Sequence, residues 1–406
     1  MAAADAATAA HAGAPVWGAP ASTFPDGFGE VKTVDQAGAE PALGTTAKSV
    51  DAGADEARRR GRRKHRYALL DTAASLLPRE RVAHCQRTPA GSAVAVVLKG
   101  KAATYFGLQQ CGSVWFCPVC SPRICAERRG ELNRLLKWAR REGLIPLLMT
   151  LTARHSYSDA LAALTNGVKG AKKRLHQSRT WRNLPVVGHV TATELPCGRN
   201  GWHLHFHILL LVAAPSEAAA IGMVEDCRSA WELALTYEGL ACNDRGFDLR
   251  GAAEAGTYVA KWGAAEELAL SGEKLADPAD STKGRTPWQL LAIIAGEIED
   301  TLFSPQQATA RWLEYARVFK GRRQLVWSKG LKTKAGINER TDKEIVDGAE
   351  ASDLHEPNQE IGRMTIPEWR AVVRRGLRLR LLEAVEAEGK KGFLAVLSHI
   401  RERSRI

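Results

Sequence analysis

From His203 to Ile208 the chain alternates polar and apolar residues without a break, His203, His205 and His207 against Leu204, Phe206 and Ile208. A period of two is that of a β-strand, so the imidazoles share one face and the apolar side chains the other. The apolar run continues through 208–212, and 185–195, rich in Val and Thr, predicts a partner strand. Between them Asn200-Gly201 predicts a type I′ hairpin turn. That turn pairs 199 with 202, 196 with 205 and 194 with 207. Glu194 then lies across from His207, on the imidazole face and one step from His205.

The same reading extends along the chain. Residues 144–152 predict a buried strand, and 159–177 a basic amphipathic helix with Leu161, Leu164, Val168 and Leu175 inward. Ser121 and Pro122 predict the start of a helix, with Ile124, Leu132, Leu135, Leu136 and Ala139 on one face and Gly143 at its end. Pro215-Ser216 predicts another, running to about Tyr237. From Arg250 through Leu270 the spacing is helical, which puts Glu254, Tyr258, Lys261 and Trp262 on one side. Helical spacing returns at 288–298, 308–318 and 365–403, the last with Ile366-Pro367 near a start and Gly389 near a break. Residues 272–286 read as a polar connection.

Composition sets the outer limits. The 406 residues suffice for two or three domains, and 45% hydrophobic with 25% charged residues is globular usage. The longest apolar runs are too short to span a membrane, and no basic region precedes an apolar one at the N-terminus, so a secretion signal is not expected. A cytoplasmic protein with no membrane partner is therefore expected. Residues 1–57, rich in Ala, Gly and Pro, are expected to form a disordered tail. The net charge of +12 points to a polyanionic partner, nucleic acid first. Two stretches concentrate it. Arg58 to Arg66 reads as a phosphate-contacting or solvated run, and Phe319 to Lys334 interleaves basic residues with Phe319 and Trp327, a mixture suited to single-stranded nucleic acid.

Eight Cys without secretion argue for metal rather than disulfides. Cys117-Pro-Val-Cys120 is a knuckle that sets two thiolates along a tetrahedral edge; Cys85 and Cys111 complete the preferred zinc set, with His84 and Cys125 left as alternatives. His205, His207 and Glu194 form a second ligand set, two imidazoles and one carboxylate, suited to a divalent cation that keeps positions open for substrate oxygens. Buried thiols and a solvent-facing His strand are the plainer alternatives.

These pieces, in this order, resemble the rolling-circle replication initiators (Rep) of bacterial plasmids, within the HUH endonuclease superfamily. The likeness covers roughly residues 84–334. Leu148-Met-Thr150-Leu-Thr152 resembles the first family motif, His203-Leu-His205-Phe-His207 the metal motif, where Pro is common at the position of Leu204, and Tyr258-Val-Ala-Lys261 the nucleophile motif. The resemblance implies an α+β fold, a central antiparallel sheet with helices, preceded by the Cys-rich zinc module and followed by C-terminal helices. The division it suggests is a tail over 1–57, the basic segment and zinc module over 58–126, a nicking and strand-transfer domain over 127–336, and a helical region over 337–406.

It also implies a single-Tyr, metal-dependent, site-specific endonuclease acting on plasmid origin DNA, duplex and single-stranded. Tyr258 would attack, giving a 5′-phosphotyrosine and a 3′-OH primer, with Lys261 beside the phosphate or phenolate. Glu254 would activate water to end the cycle, its plainer reading being a surface residue. Mg²⁺ or Mn²⁺ would serve the catalytic site. Recruitment of a host helicase and a DNA polymerase stays open. The rival readings are an HUH transposase or relaxase, separable by its DNA substrate; a zinc metalloenzyme acting on another substrate, which would form no covalent DNA adduct; and a zinc-containing DNA-binding regulator, which would not nick.

Overall fold

Strand β7 (His205–Val212) runs through the middle of the molecule because nearly every residue after His207 is apolar, as a strand covered on both faces requires. The structure, a computed structural model, describes residues 52–261, 284–355 and 359–402. The tail as far as residue 51, the helical spacing over 262–270, Trp262 included, and the connection through 283 lie outside the described residues.

β7 pairs with β3 (Ile145–Thr152) on one side and β4 (Val186–Glu194) on the other; β8 (Phe247–Arg250) and β9 (Leu325–Trp327) close the edges. The order is β8-β3-β7-β4-β9 and every pair is antiparallel. A hairpin, β5 (Cys197–Gly198) and β6 (Gly201–Trp202), links β4 to β7. Helix α2 (Cys120–Arg141) feeds β3, and α3 (Leu161–Gln177) lies on the face opposite the imidazoles, with Lys172 over the Phe206 ring at 5.0 Å. After α4 (Arg179–Arg182), α5 (Glu217–Glu225), α6 (Cys227–Tyr237) and α7 (Ala252–Lys261), α7 packs along β3 on the imidazole side. Ser216 caps α5 through the Ala219 N–H, where the helix start is expected. Helix α2, by contrast, begins at Cys120, one residue before the expected Ser121 cap.

The turn of the hairpin differs from the expected one. Gly198 pairs with Gly201 and Cys197 with Trp202, so Arg199-Asn200 forms the loop, and Glu194 pairs with His205 rather than His207. A type I′ turn needs positive φ at both central residues, and neither Arg199 nor Asn200 has it. Gly201 does, at φ +85, the position of the left-handed glycine that follows a type I turn in a bulged hairpin. A Cβ there would also meet the Ser156 carbonyl oxygen at 2.8 Å. The register moves by two residues, an even shift, so Glu194 keeps its place on the imidazole face.

A second layer joins the two ends of the described chain. Helix α1 (Ala52–Leu76) begins inside the stretch read as a tail and carries the basic run from Arg58 to Arg66 on a helix. Strands β1 (Ala93–Lys99) and β2 (Ala102–Phe106) pair as a hairpin, and β10 (Gln359–Thr365) adds to the other edge of β1. Helices α8 (Pro287–Ile294), α9 (Pro305–Phe319), α10 (Leu331–Lys334) and α11 (Asp342–His355) precede β10; α12 (Ile366–Arg374), α13 (Arg378–Glu388) and α14 (Lys390–Glu402) follow it. Thr365 and Glu368 cap α12 reciprocally, at the Ile366-Pro367 start read from the sequence. The last three helices bury Trp369, Leu381, Val385 and Leu397 against β1, β2 and β10. The architecture is α+β, with antiparallel sheets, C-terminal helices, and a Cys-rich cluster on the N-terminal side of the main sheet.

Candidate active site and metal centre

The end of β7 brings the His residues together with groups from three other elements. The His205 and His207 rings stack in parallel, centroids 5.8 Å apart with an interplanar angle of 2°. His207 Nε2 lies 3.1 Å from Glu194 Oε2, and the other oxygen of Glu194 accepts the Tyr258 hydroxyl at 3.4 Å. The Tyr258 ring is 4.9 Å from that of His207. Tyr258, Glu194 and His207 therefore form one chain of contacts across α7, β4 and β7.

Two further residues shape the site. Thr150 lies opposite His207 on β3, and its hydroxyl is 3.0 Å from His207 Nδ1. A hydroxyl can donate or accept there, so it can hold either imidazole tautomer while keeping Nε2 turned to Glu194. Thr150 alternates with Met149 and Leu151 along β3, and that alternation is the signal that could have placed it on this face. His155 stacks on His203 at 4.6 Å, and His203 tilts against His205 at 3.9 Å. No local pattern marks His155; the loop after β3 delivers it.

Burial sets the charge states. It drives His205 down to about 4, with the neighbouring His207 adding to the effect, and His203 to about 3, so both rings are neutral donors at physiological pH. Burial raises the Glu194 carboxyl, but the His207 hydrogen bond, the imidazoles and the Tyr258 hydroxyl outweigh it and hold the group below its usual range. Neutral imidazoles beside an ionised carboxylate suit a divalent cation. The three side chains are drawn up through the His207–Glu194 hydrogen bond rather than around one point: among the described residues, only the four thiols bring three or more His, Cys, Asp or Glu ligand atoms within 4.8 Å of one another. Lys261 is exposed on the last turn of α7, and Glu254 is exposed one turn before Tyr258. The carboxylate on the phenol is that of Glu194.

The thiol group is Cys85, Cys111, Cys117 and Cys120, all buried. Sulfur separations are 3.4 Å for 85–117, 3.7 Å for 85–120 and 3.8 Å for 111–120. Those are far beyond a disulfide bond, and close to the roughly 3.8 Å edge of a tetrahedron with zinc–sulfur bonds of about 2.3 Å. The group could hold a metal such as zinc. Burial, then hydrogen bonding among the thiols, raises Cys117, whereas the three neighbouring thiols lower Cys120. Cys125 turns to Gln324 Oε1 at 3.6 Å, and His84 is exposed against Thr88, so neither joins the group.

A replication-protein family model matches residues 107–216, a span holding three of the four thiols and the whole His strand. A Rep protein of Streptomyces lividans is 29% identical over 382 residues, 77% of this chain and 83% of that one. The chain resembles the Rep proteins of plasmid replication. A Streptomyces cyanogenus protein named for neomycin resistance is 29% identical over 161 residues, covering 32% of this chain and 34% of its own length. No solved structure matches. Tyr258 lies beyond the span of the Rep family model, on the helix that returns to its His strand. Among the described residues, no helix of this Rep-like chain is long and apolar enough to cross a membrane.

Proposed function

We propose that the chain initiates rolling-circle plasmid replication in the bacterial cytoplasm by nicking one strand of origin DNA through Tyr258. The observation that carries this reading is the contact series Tyr258–Glu194–His207, a phenol within 3.4 Å of a carboxylate that itself meets a strand imidazole. His205, His207 and Glu194 would hold a Mg²⁺ or Mn²⁺ ion. When bound, the cation supplies positive charge beside the scissile phosphate. Tyr258 attacks phosphorus, forming the tyrosyl O–P bond as the P–O3′ bond breaks; the phenol proton leaves through the adjacent carboxylate and the departing oxygen ends as the 3′-OH. Thr150 orients His207, and Lys261 stands on the same helix for the phosphate. Cys85, Cys111, Cys117 and Cys120 would hold structural zinc, fixing the start of α2.

The test uses origin DNA with wild type and Tyr258→Phe. Wild type is expected to leave a 3′-OH nick and a 5′ end blocked by protein, and the variant no adduct. A nick from the folded variant, or a wild-type nick with a free 5′ phosphate, defeats the reading. Origin-derived against transposon-end substrates separates an initiator from a transposase.

A further inference from the structure

Strand β9 shows its orientation by its register. Leu325 pairs with Ala192 and Trp327 with Val190, while Ala192 pairs in turn with His207. Leu325 and Trp327 therefore lie on the imidazole face of the sheet. Leu325 is two strands from His207, about 10 Å at ordinary strand spacing.

Trp327 forms one wall of a cavity of about 430 Å³ between β9, α2, the turn before α10 and the segment leading into α11. That volume is in the range of pockets that enclose small organic groups. Five basic side chains line it against two carboxylates. Arg128 and Lys332 lean on the buried Glu131, at 2.9 and 3.1 Å, and Lys332 also stands 5.1 Å from the centre of the Trp327 ring. Arg323 and Lys329 are exposed and have no hydrogen-bond or ion-pair partner among the described residues. The Trp327 indole N–H is buried without a hydrogen-bond partner.

An indole wall beside unspent cations matches a base joined to phosphates. An inorganic anion would have no use for the ring, and an apolar ligand would strip water from the basic wall. The proposed Tyr258 chemistry uses none of these residues. We infer that the cavity takes one nucleotide of single-stranded DNA, its base against Trp327 and its flanking phosphates against Arg323 and Lys329. This rests on the reading that the chain works on single-stranded DNA, and it gives the strand a course across the sheet face from Tyr258 towards β9.

The test is fluorescence anisotropy of a labelled oligothymidylate with the full chain over a salt series. Trp327→Leu is expected to weaken binding roughly tenfold, and Trp327→Phe to keep most of it. Arg323→Gln with Lys329→Gln is expected to lower the slope of log affinity on log salt by about 1.4, two phosphate contacts at roughly 0.7 each. Photo-crosslinking of wild type to an iodouracil oligonucleotide needs no variant and is expected to label residues 323–332. Wild-type affinity and slope in the variants, or crosslinks elsewhere, overturns the inference. So does thymidine monophosphate competing as well as the oligonucleotide, which would give the cavity to a free nucleotide. Nicking without any Trp327 effect defeats this inference alone; a Trp327 effect in a protein that never nicks defeats the nicking proposal alone.

Discussion

His207 has a partner at each ring nitrogen, Thr150 at Nδ1 and Glu194 at Nε2. A ligand imidazole held this way loses about 10- to 100-fold in metal affinity when its outer partner goes. Thr150→Val keeps the shape of the side chain and removes only the hydroxyl, so nicking by that variant should need correspondingly more Mn²⁺, with near-normal activity at saturation. A Mn²⁺ titration of the nicking rate checks this; an unchanged midpoint would leave Thr150 with a packing role only. Glu254→Ala is expected to leave the first nick and the Tyr258 adduct intact and to give overlong displaced strands in a replication assay. Unit-length circles from that variant would put the terminating nucleophile elsewhere. At this scale the sequence was legible where chemistry repeats along one strand. Three His at a period of two declare their face, whereas Thr150 comes from β3 and His155 from the loop after it, so the pairing of β3 with β7 sets Thr150 against His207 and the course of that loop brings His155 onto His203.

Elements were legible where periodicity ran long enough to show. The helices over 161–177 and 305–319 each bury one stripe, and both follow from spacing alone. The four residues of β8 fall between the helix expected to end near Tyr237 and the helical spacing that begins at Arg250, where no strand is expected, because an edge strand that short has too few positions to display an alternation. The hairpin shows a different limit. Asn-Gly favours two adjacent left-handed residues, yet only Gly201 of the pair has a positive φ, and the turn closes on the Gly198–Gly201 pair instead. The knuckle belongs to this scale as well, because Cys117 and Cys120 straddle the start of α2 while Cys85 and Cys111 come from loops before it. A metal there would tie that helix start to the preceding layer. Elemental analysis of purified protein should find about one zinc per chain, and Cys117→Ser should lose the metal and melt at lower temperature. A stable, metal-free wild type with four reactive thiols would exclude the site.

Across the whole molecule, Arg63 of α1 grips Glu386 of α13 through both carboxylate oxygens, at 2.9 and 2.6 Å, and the Ala103 N–H adds a third contact at 2.8 Å. Burial raises the Glu386 carboxyl, but Arg63 and the backbone N–H outweigh it and hold it below its usual value. A lowered folded-state pKa means that the contribution to stability is complete above the unfolded value, about 4.3, and is lost as pH falls through the lower folded one. The melting temperatures of wild type and Glu386→Gln should therefore differ by a constant amount from about pH 6 to 8 and converge under acid. A gap that widens with acid would reverse the assignment.

Strand β10 has a consequence in time as well as in space. It completes the edge of β1, yet it follows β1 by roughly 260 residues, and at about 5–20 residues per second that is between roughly 13 and 52 seconds of synthesis. Throughout that interval the nascent chain carries β1 with one side unpaired, an open row of N–H and C=O groups while the main sheet is still being made. A ribosome that stalls late, or a message cut short before residue 359, leaves a protein whose proposed nicking residues have all been made but whose first layer remains open to other chains.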